Sequence, residues 1–207
     1  MIRVEGRGLR KVFNRRVIFR DVSFSLGEGE VLLVTGRNGS GKSTLVKIIS
    51  HVLSPTAGTV EFALDGAPVK GMAARHLGLV SPYLQLYDEF TAAEHLRFAM
   101  TIRGLRPDPA GADEVLRRVG LHHRKEDAVR TYSSGMKQRL KFAFALLHRP
   151  PVLLLDEPMS NLDAEGVAMV RGVMEEQRGK GVLVVATNDL TDIERYDARV
   201  DLNGRER

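Results

Sequence analysis

A chain of 207 residues, 43% of them hydrophobic, is long enough for one domain with a substantial core, and this composition excludes an intrinsically disordered chain. The absence of cysteine excludes disulfides, thiolate metal sites and cysteine nucleophiles, and suits a reducing cytoplasm. The net charge of +5 comes from scattered arginines without a dense basic run, so no nucleic-acid partner is expected.

The first residues, MIRVEGRGLRKVF, lack the apolar stretch of a signal peptide. No uninterrupted apolar run approaches the roughly 20 residues that span a bilayer. If the protein serves a membrane process, another chain is expected to form the path. Residues 17–26 alternate loosely between apolar and polar, and 30–36 (EVLLVTG) read as a short buried strand. Leu45, Ile48, Ile49 and Val52 give 43–53 a helical spacing that Ser54-Pro55 and Ala57-Gly58 terminate. Residues 59–64 and 76–82 predict two further strands.

The middle of the chain is helical in pattern. Leu96, Phe98, Ala99 and Ile102 predict a helix over 91–103, and Pro107 and Pro109 break the chain before a helix restarts at 112–119. From Ser134 a long helical pattern runs through Met136, Leu140, Phe142, Phe144, Leu146 and Leu147 to Arg149-Pro150-Pro151. Then follow a very apolar strand ending at Asp156, a helix over 164–177 and a strand over 182–187. There is no internal repeat. Strand–helix alternation interrupted by a helical block predicts an α/β fold. Fully apolar strands predict a mainly parallel sheet covered on both faces.

Residues 36–44, GRNGSGKST, match G-x-x-x-x-G-K-[ST] between a predicted strand and a predicted helix. Gly36, Gly39 and Gly41 let the backbone turn its amides toward phosphate oxygens. Lys42 is expected to neutralise the β- and γ-phosphates of a bound nucleotide, and Ser43 to hold Mg²⁺. Arg37, Asn38, Ser40 and Thr44 complete the candidate nucleotide-binding loop. Val152 to Leu155 deliver Asp156 and Glu157 to a strand's C-terminal edge, where open α/β sheets place their chemistry. Asp156 is the candidate Mg²⁺ holder and Glu157 the candidate general base for an attacking water. Six histidines are present, and none is spaced like a metal ligand set.

Residues 132–139, YSSGMKQR, resemble the signature LSGGQ of ATP-binding-cassette (ABC) proteins, with Ser133 and Gly135 at the signature serine and second glycine. Tyr132, Ser134 and Met136 depart from its commonest form. The resemblance covers residues 3–203. It implies a P-loop NTPase fold with an antiparallel N-terminal β subdomain and an inserted helical subdomain. Residues 1–207 would then form one nucleotide-binding domain, with an ATP-binding core at 1–90 and 150–207 and a helical part at 91–149.

It further implies that Ser133, Ser134 and Gly135 grip the γ-phosphate of ATP held by an opposite subunit. That partner would be a second copy or another ABC ATPase subunit. Ser160 to Asp163 resemble the D-loop, with Asp163 crossing the interface, and Phe13 resembles the ring that stacks on adenine. A separate transmembrane permease is the implied partner, with the chain peripheral on the inner face of the cell membrane. Tyr83, Leu84, Leu86, Tyr87 and Phe90 are candidates for the surface that receives it.

Two departures matter. Thr187-Asn188-Asp189 stands where the family carries Thr-His-Asp, so Asn188 would keep the geometry of the switch while slowing hydrolysis about tenfold. Pro82 stands at the Q-loop glutamine; Gln85 either reaches back toward Mg²⁺ or is an exposed loop residue. An ATP-binding regulator with little hydrolysis is the competing reading, and the presence of Glu157 argues against it. Translation ABC ATPases carry two cassettes and DNA-repair ones a long coiled coil, and neither fits this sequence. Size and signature look more like exporters, haem exporters among them, than sugar importers.

Overall fold

The computed structural model describes residues 1–69 and 73–204. Strands β1 (Ile2–Phe13) and β2 (Arg16–Leu26) form an antiparallel hairpin closed by Asn14 and Arg15, both at positive φ, the two-residue turn that matches strand twist. Strand β3 (Val31–Thr35) runs into helix α1 (Lys42–Ile49). Strands β4 (Ala57–Leu64) and β5 (Ala67–Pro68) join the hairpin in a sheet of order β2-β1-β4-β5. A short helix α2 (Ala73–His76) leads directly into β6 (Leu77–Val80).

Helices α3 (Ala92–Ile102), α4 (Pro109–Arg118) and α5 (Ser134–Leu146) make up the helical block. Strand β7 (Val152–Asp156), helix α6 (Ala164–Arg178), β8 (Val182–Ala186) and β9 (Ala198–Asp201) complete the chain. The second sheet has the order β6-β7-β8-β3-β9, every neighbour parallel.

Alternation along the parallel strands divides the interior into two cores. Leu32, Val34, Val152, Leu154, Val182 and Val184 pack with Leu45 and Ile48 of α1 and with Val4, Leu9 and Phe19 of the antiparallel sheet. Their neighbours Val31, Leu33, Leu153, Leu155, Leu183 and Val185 pack with Leu96 of α3, Leu116 of α4, Phe142 of α5 and Val170 of α6. Both faces are covered, which is why these strands carry no polar residue until their C-terminal ends. Those ends, at Thr35, Val80, Asp156 and Ala186, form the edge on which the site is built.

The structure moves several element boundaries. Helix α4 starts at Pro109 rather than 112, because Asp108 caps it, accepting from Gly111 N at 3.0 Å, and proline fits the first helical turn. Thr91 and Glu94 close a capping box that sets the start of α3. The strand expected over 76–82 is confined to Leu77–Val80. Strand β9, with charged Arg199 and Asp201, lies at the sheet edge, where periodicity gives little signal.

Candidate nucleotide-binding site

After β3 the chain turns through Gly36, Gly39 and Gly41, with φ of 151°, 80° and 102°. Gly41 is required twice over: its φ is left-handed, and a Cβ there would lie 2.5 Å from Ile18 Cγ2. Gly41 precedes α1 without any side-chain cap, and no acidic residue occupies the first turn. The first amides of α1 therefore lack intrahelical acceptors and present partial positive charge, as an anion site needs. Ser40 Oγ is buried with no hydrogen-bond partner among the described residues. Arg37, Asn38 and Gly39 are exposed, while Ser43 and Thr44 are partly buried.

Lys42 is only 6% exposed; its ammonium donates to Gly36 O at 2.9 Å and lies 3.3 Å from Glu157 Oε1. Asp156 ends β7 fully buried. Burial pushes its carboxyl above the ordinary range, opposed by the nearby hydroxyls of Ser43 and Ser81 and by the charges of Lys42 and Lys47. The Ser81 bond, to Oδ2, measures 3.3 Å, whereas Oδ1 is buried without a partner among the described residues. Glu157 has φ 49°, a conformation a non-glycine residue holds only under constraint, and its N–H donates to Ala186 O at 2.8 Å.

Among the described residues no three His, Cys, Asp or Glu cluster as a metal cage. The hard oxygens of Ser43 and Asp156, one of them unpartnered, fit Mg²⁺, which takes few protein ligands and completes its shell with phosphate and water.

Asn188 follows β8 on the surface, its amide 3.4 Å from Asn38 Oδ1, so the switch position borders the phosphate loop. A cavity of about 360 Å³ lies between that loop and the hairpin, lined by Arg16, Val17, Ile18, Arg37, Asn38, Gly39 and Ser40. Phe13 stands at the end of β1, 44% exposed, with Lys11 Nζ 4.7 Å from its ring centre, and is not among those lining residues. Arg16, Val17 and Ile18 were not apparent from the sequence, because only the folded hairpin carries them over the loop.

The signature residues stand apart from this group. Ser133 caps α5, its hydroxyl accepting from Met136 N at 3.2 Å. A Cβ on Gly135 would lie 2.9 Å from Asn161 O, so glycine lets the 157–163 loop pack against the helix start. Ser133, Ser134 and Gly135 share a cavity of about 400 Å³ with Asn161 and Asp163. Asp163 caps α6 through Gly166 N at 2.8 Å and pairs with Arg139 at 2.7 Å, and these bonds hold its carboxyl below the ordinary range. Gln85 is exposed on the loop after β6 and has no hydrogen bond to Ser43 or Asp156 among the described residues.

A phosphate loop entering a helix from a parallel sheet, with Asp156 and Glu157 at the same edge, defines an α/β nucleotide-binding domain of the P-loop class. The family model described as ABC transporter matches residues 19–160, more than half of the chain. The lipoprotein-releasing system ATP-binding protein LolD 1 of Caulobacter vibrioides is 35% identical over 203 residues, covering 90% of this chain and 86% of its own length. The ABC transporter ATP-binding protein YxlF of Bacillus subtilis is 36% identical over 196 residues, covering 94% of this chain. The chain spans 64% of YxlF's length. A solved structure of the ATP-binding subunit of an ABC transporter superposes with a TM-score of 0.81 at 30% identity, covering 96% of this chain and 85% of that one.

This chain belongs to the ABC transporter family, as one of its ATP-binding proteins.

Proposed function

We propose that the chain binds and hydrolyses ATP with Mg²⁺, closes head to tail with a second ABC ATPase subunit, and drives a separate transmembrane permease. The observation that carries this reading is the Lys42–Glu157 contact of 3.3 Å. It joins the phosphate-binding cation to the candidate base at the edge where phosphates would lie. Lys42 is nearly buried, and Glu157 is its carboxylate partner. Phosphate oxygens entering the loop compete for that ammonium, leaving the Glu157 carboxylate to accept a proton from water. Mg²⁺, when bound beside Ser43 and Asp156, supplies positive charge that neutralises the phosphates.

The signature residues support a composite site. Ser133, Ser134 and Gly135 line a cavity that shares no lining residue with the phosphate-loop cavity. Within one chain they do not meet the loop, whereas a second copy turned head to tail could bring them to it. An aromatic surface supports docking to a permease: Tyr83 and Tyr87 are exposed, and Phe90 and Phe98 stand 5.2 and 6.1 Å from Tyr87. Leu86 packs against the core instead. Among the described residues no helix is long and apolar enough to cross a membrane, which is consistent with a peripheral subunit. Release of lipoproteins, named for LolD 1, is one cargo class open to this chain.

Phosphate release from Glu157→Gln should fall at least ~100-fold while ATP affinity is retained, as expected on removal of a general base. An unchanged rate would favour an ATP-binding regulator instead, the reading that Asn188 invites.

A further inference from the structure

Ser81 immediately follows β6, where the pairing of Val80 with Leu155 brings the next residue beside Asp156. It is only 5% exposed. Its hydroxyl oxygen accepts from Tyr83 N at 3.3 Å and donates to Asp156 Oδ2 at 3.3 Å. The Tyr83 N–H engages a lone pair, which leaves the hydroxyl hydrogen for the carboxylate. On the other side of Ser81 stands Lys141 of α5, whose ammonium donates to Ser81 O at 3.2 Å and Pro82 O at 3.4 Å. Both partners are carbonyls, so among the described residues this half-buried cation is held by backbone oxygen and not by a carboxylate. One turn earlier on α5, Lys137 pairs with Asp88 at 2.7 Å, tying the far end of the same loop to the same helix.

We propose that Ser81 and Lys141 are positioning residues for the metal-side carboxylate: Lys141 fixes the Ser81 backbone, and the Ser81 hydroxyl fixes one oxygen of Asp156. The other oxygen, buried and unpartnered, is thereby left facing Mg²⁺ or its bound water. The chain of contacts runs from the helix opened by Ser133 to Asp156 in two links, Lys141 to the Ser81 carbonyl and the Ser81 hydroxyl to Asp156. A shift of α5 therefore displaces the carboxylate on which the metal depends. The inference rests on the ATP–Mg²⁺ reading above and adds to it the residues that orient the metal's carboxylate. It assigns that work to Ser81 rather than to the exposed Gln85.

Affinity for a fluorescent ATP analogue, measured with excess Mg²⁺ and again with EDTA, tests it. Ser81→Ala should lose 3- to 10-fold in the presence of Mg²⁺ and change less than 2-fold in EDTA. Ser81→Thr should restore the Mg²⁺-dependent gain. Lys141→Met should follow Ser81→Ala, and Lys141→Arg should recover most of the loss. Equal losses with and without metal would show a general packing role and overturn the proposal. So would a wild-type Mg²⁺ response in Ser81→Ala, or a metal-dependent loss in Gln85→Ala alone. Should either Ser81→Ala or Lys141→Met fail to fold, as judged by its thermal melt, the other still decides. A wild-type chain that binds no nucleotide would defeat the ATP reading itself, a result distinct from these.

Discussion

The amide of Asn188 reaches Asn38 of the phosphate loop at 3.4 Å, so a residue that cannot carry a proton charge sits beside the expected phosphates. An amide donates a hydrogen bond but adds no positive charge as negative charge shifts in the transition state. Asn188→His should therefore raise the steady-state hydrolysis rate about tenfold, or ~1.4 kcal/mol, and Asn188→Ala should lower it below wild type. Equal rates for Ala and wild type would remove Asn188 from the mechanism. Glu157 shows the complementary constraint. Its left-handed backbone is held by the Ala186 bond and its carboxylate by Lys42, so geometry is maintained at a strained position close to the chemistry.

Elements are joined by a few buried polar side chains. Gln138 of α5 donates to Pro158 O at 3.3 Å, linking the helix opened by Ser133 to the turn after Glu157. His148, just beyond α5, contacts Leu77 O at 3.2 Å and so holds the start of β6. Burial and the nearby Arg103 charge push its imidazole down to about 4 from an ordinary 6.5. A base whose folded pKa is depressed binds its proton more readily when unfolded. Its contribution is complete above pH 6.5 and is lost as pH falls from there toward 4. Thermal midpoints should drop between pH 7 and 5, and His148→Gln should flatten that dependence. A slope unchanged by the substitution would assign the acid sensitivity to other groups.

For the whole molecule, the two separated cavities carry the strongest consequence. On the head-to-tail arrangement proposed above, the phosphate loop of one chain and the signature of another would enclose one ATP. The hydrolysis-deficient Glu157→Gln variant should therefore double its molar mass in light scattering on addition of ATP and Mg²⁺, and revert when nucleotide is removed. A monomer under saturating nucleotide, with the permease also present, would refute the head-to-tail arrangement. The parallel sheet is a rigid floor for both sites: Val152, Leu154, Val182 and Val184 are fully buried on one face and Leu153, Leu155 and Val185 on the other.

The phosphate loop, the Asp156–Glu157 pair and the Ser133 helix start were legible in the linear chain because each is local. Glycine spacing, an apolar run and a serine cap act within a few residues of themselves. The α/β class followed from the same local patterns. Folding alone decided what depends on distant partners. The order β6-β7-β8-β3-β9 places Ser81 beside Asp156, 75 residues away, and Asn188 beside Asn38, 150 away. No periodicity encodes such meetings, since parallel pairing joins strands by buried surface and backbone hydrogen bonds rather than by sequence proximity. For the same reason Gln85 could be placed only in three dimensions: the loop is drawn to α5 by Lys137 and Lys141, and the hydroxyl that reaches Asp156 belongs to Ser81.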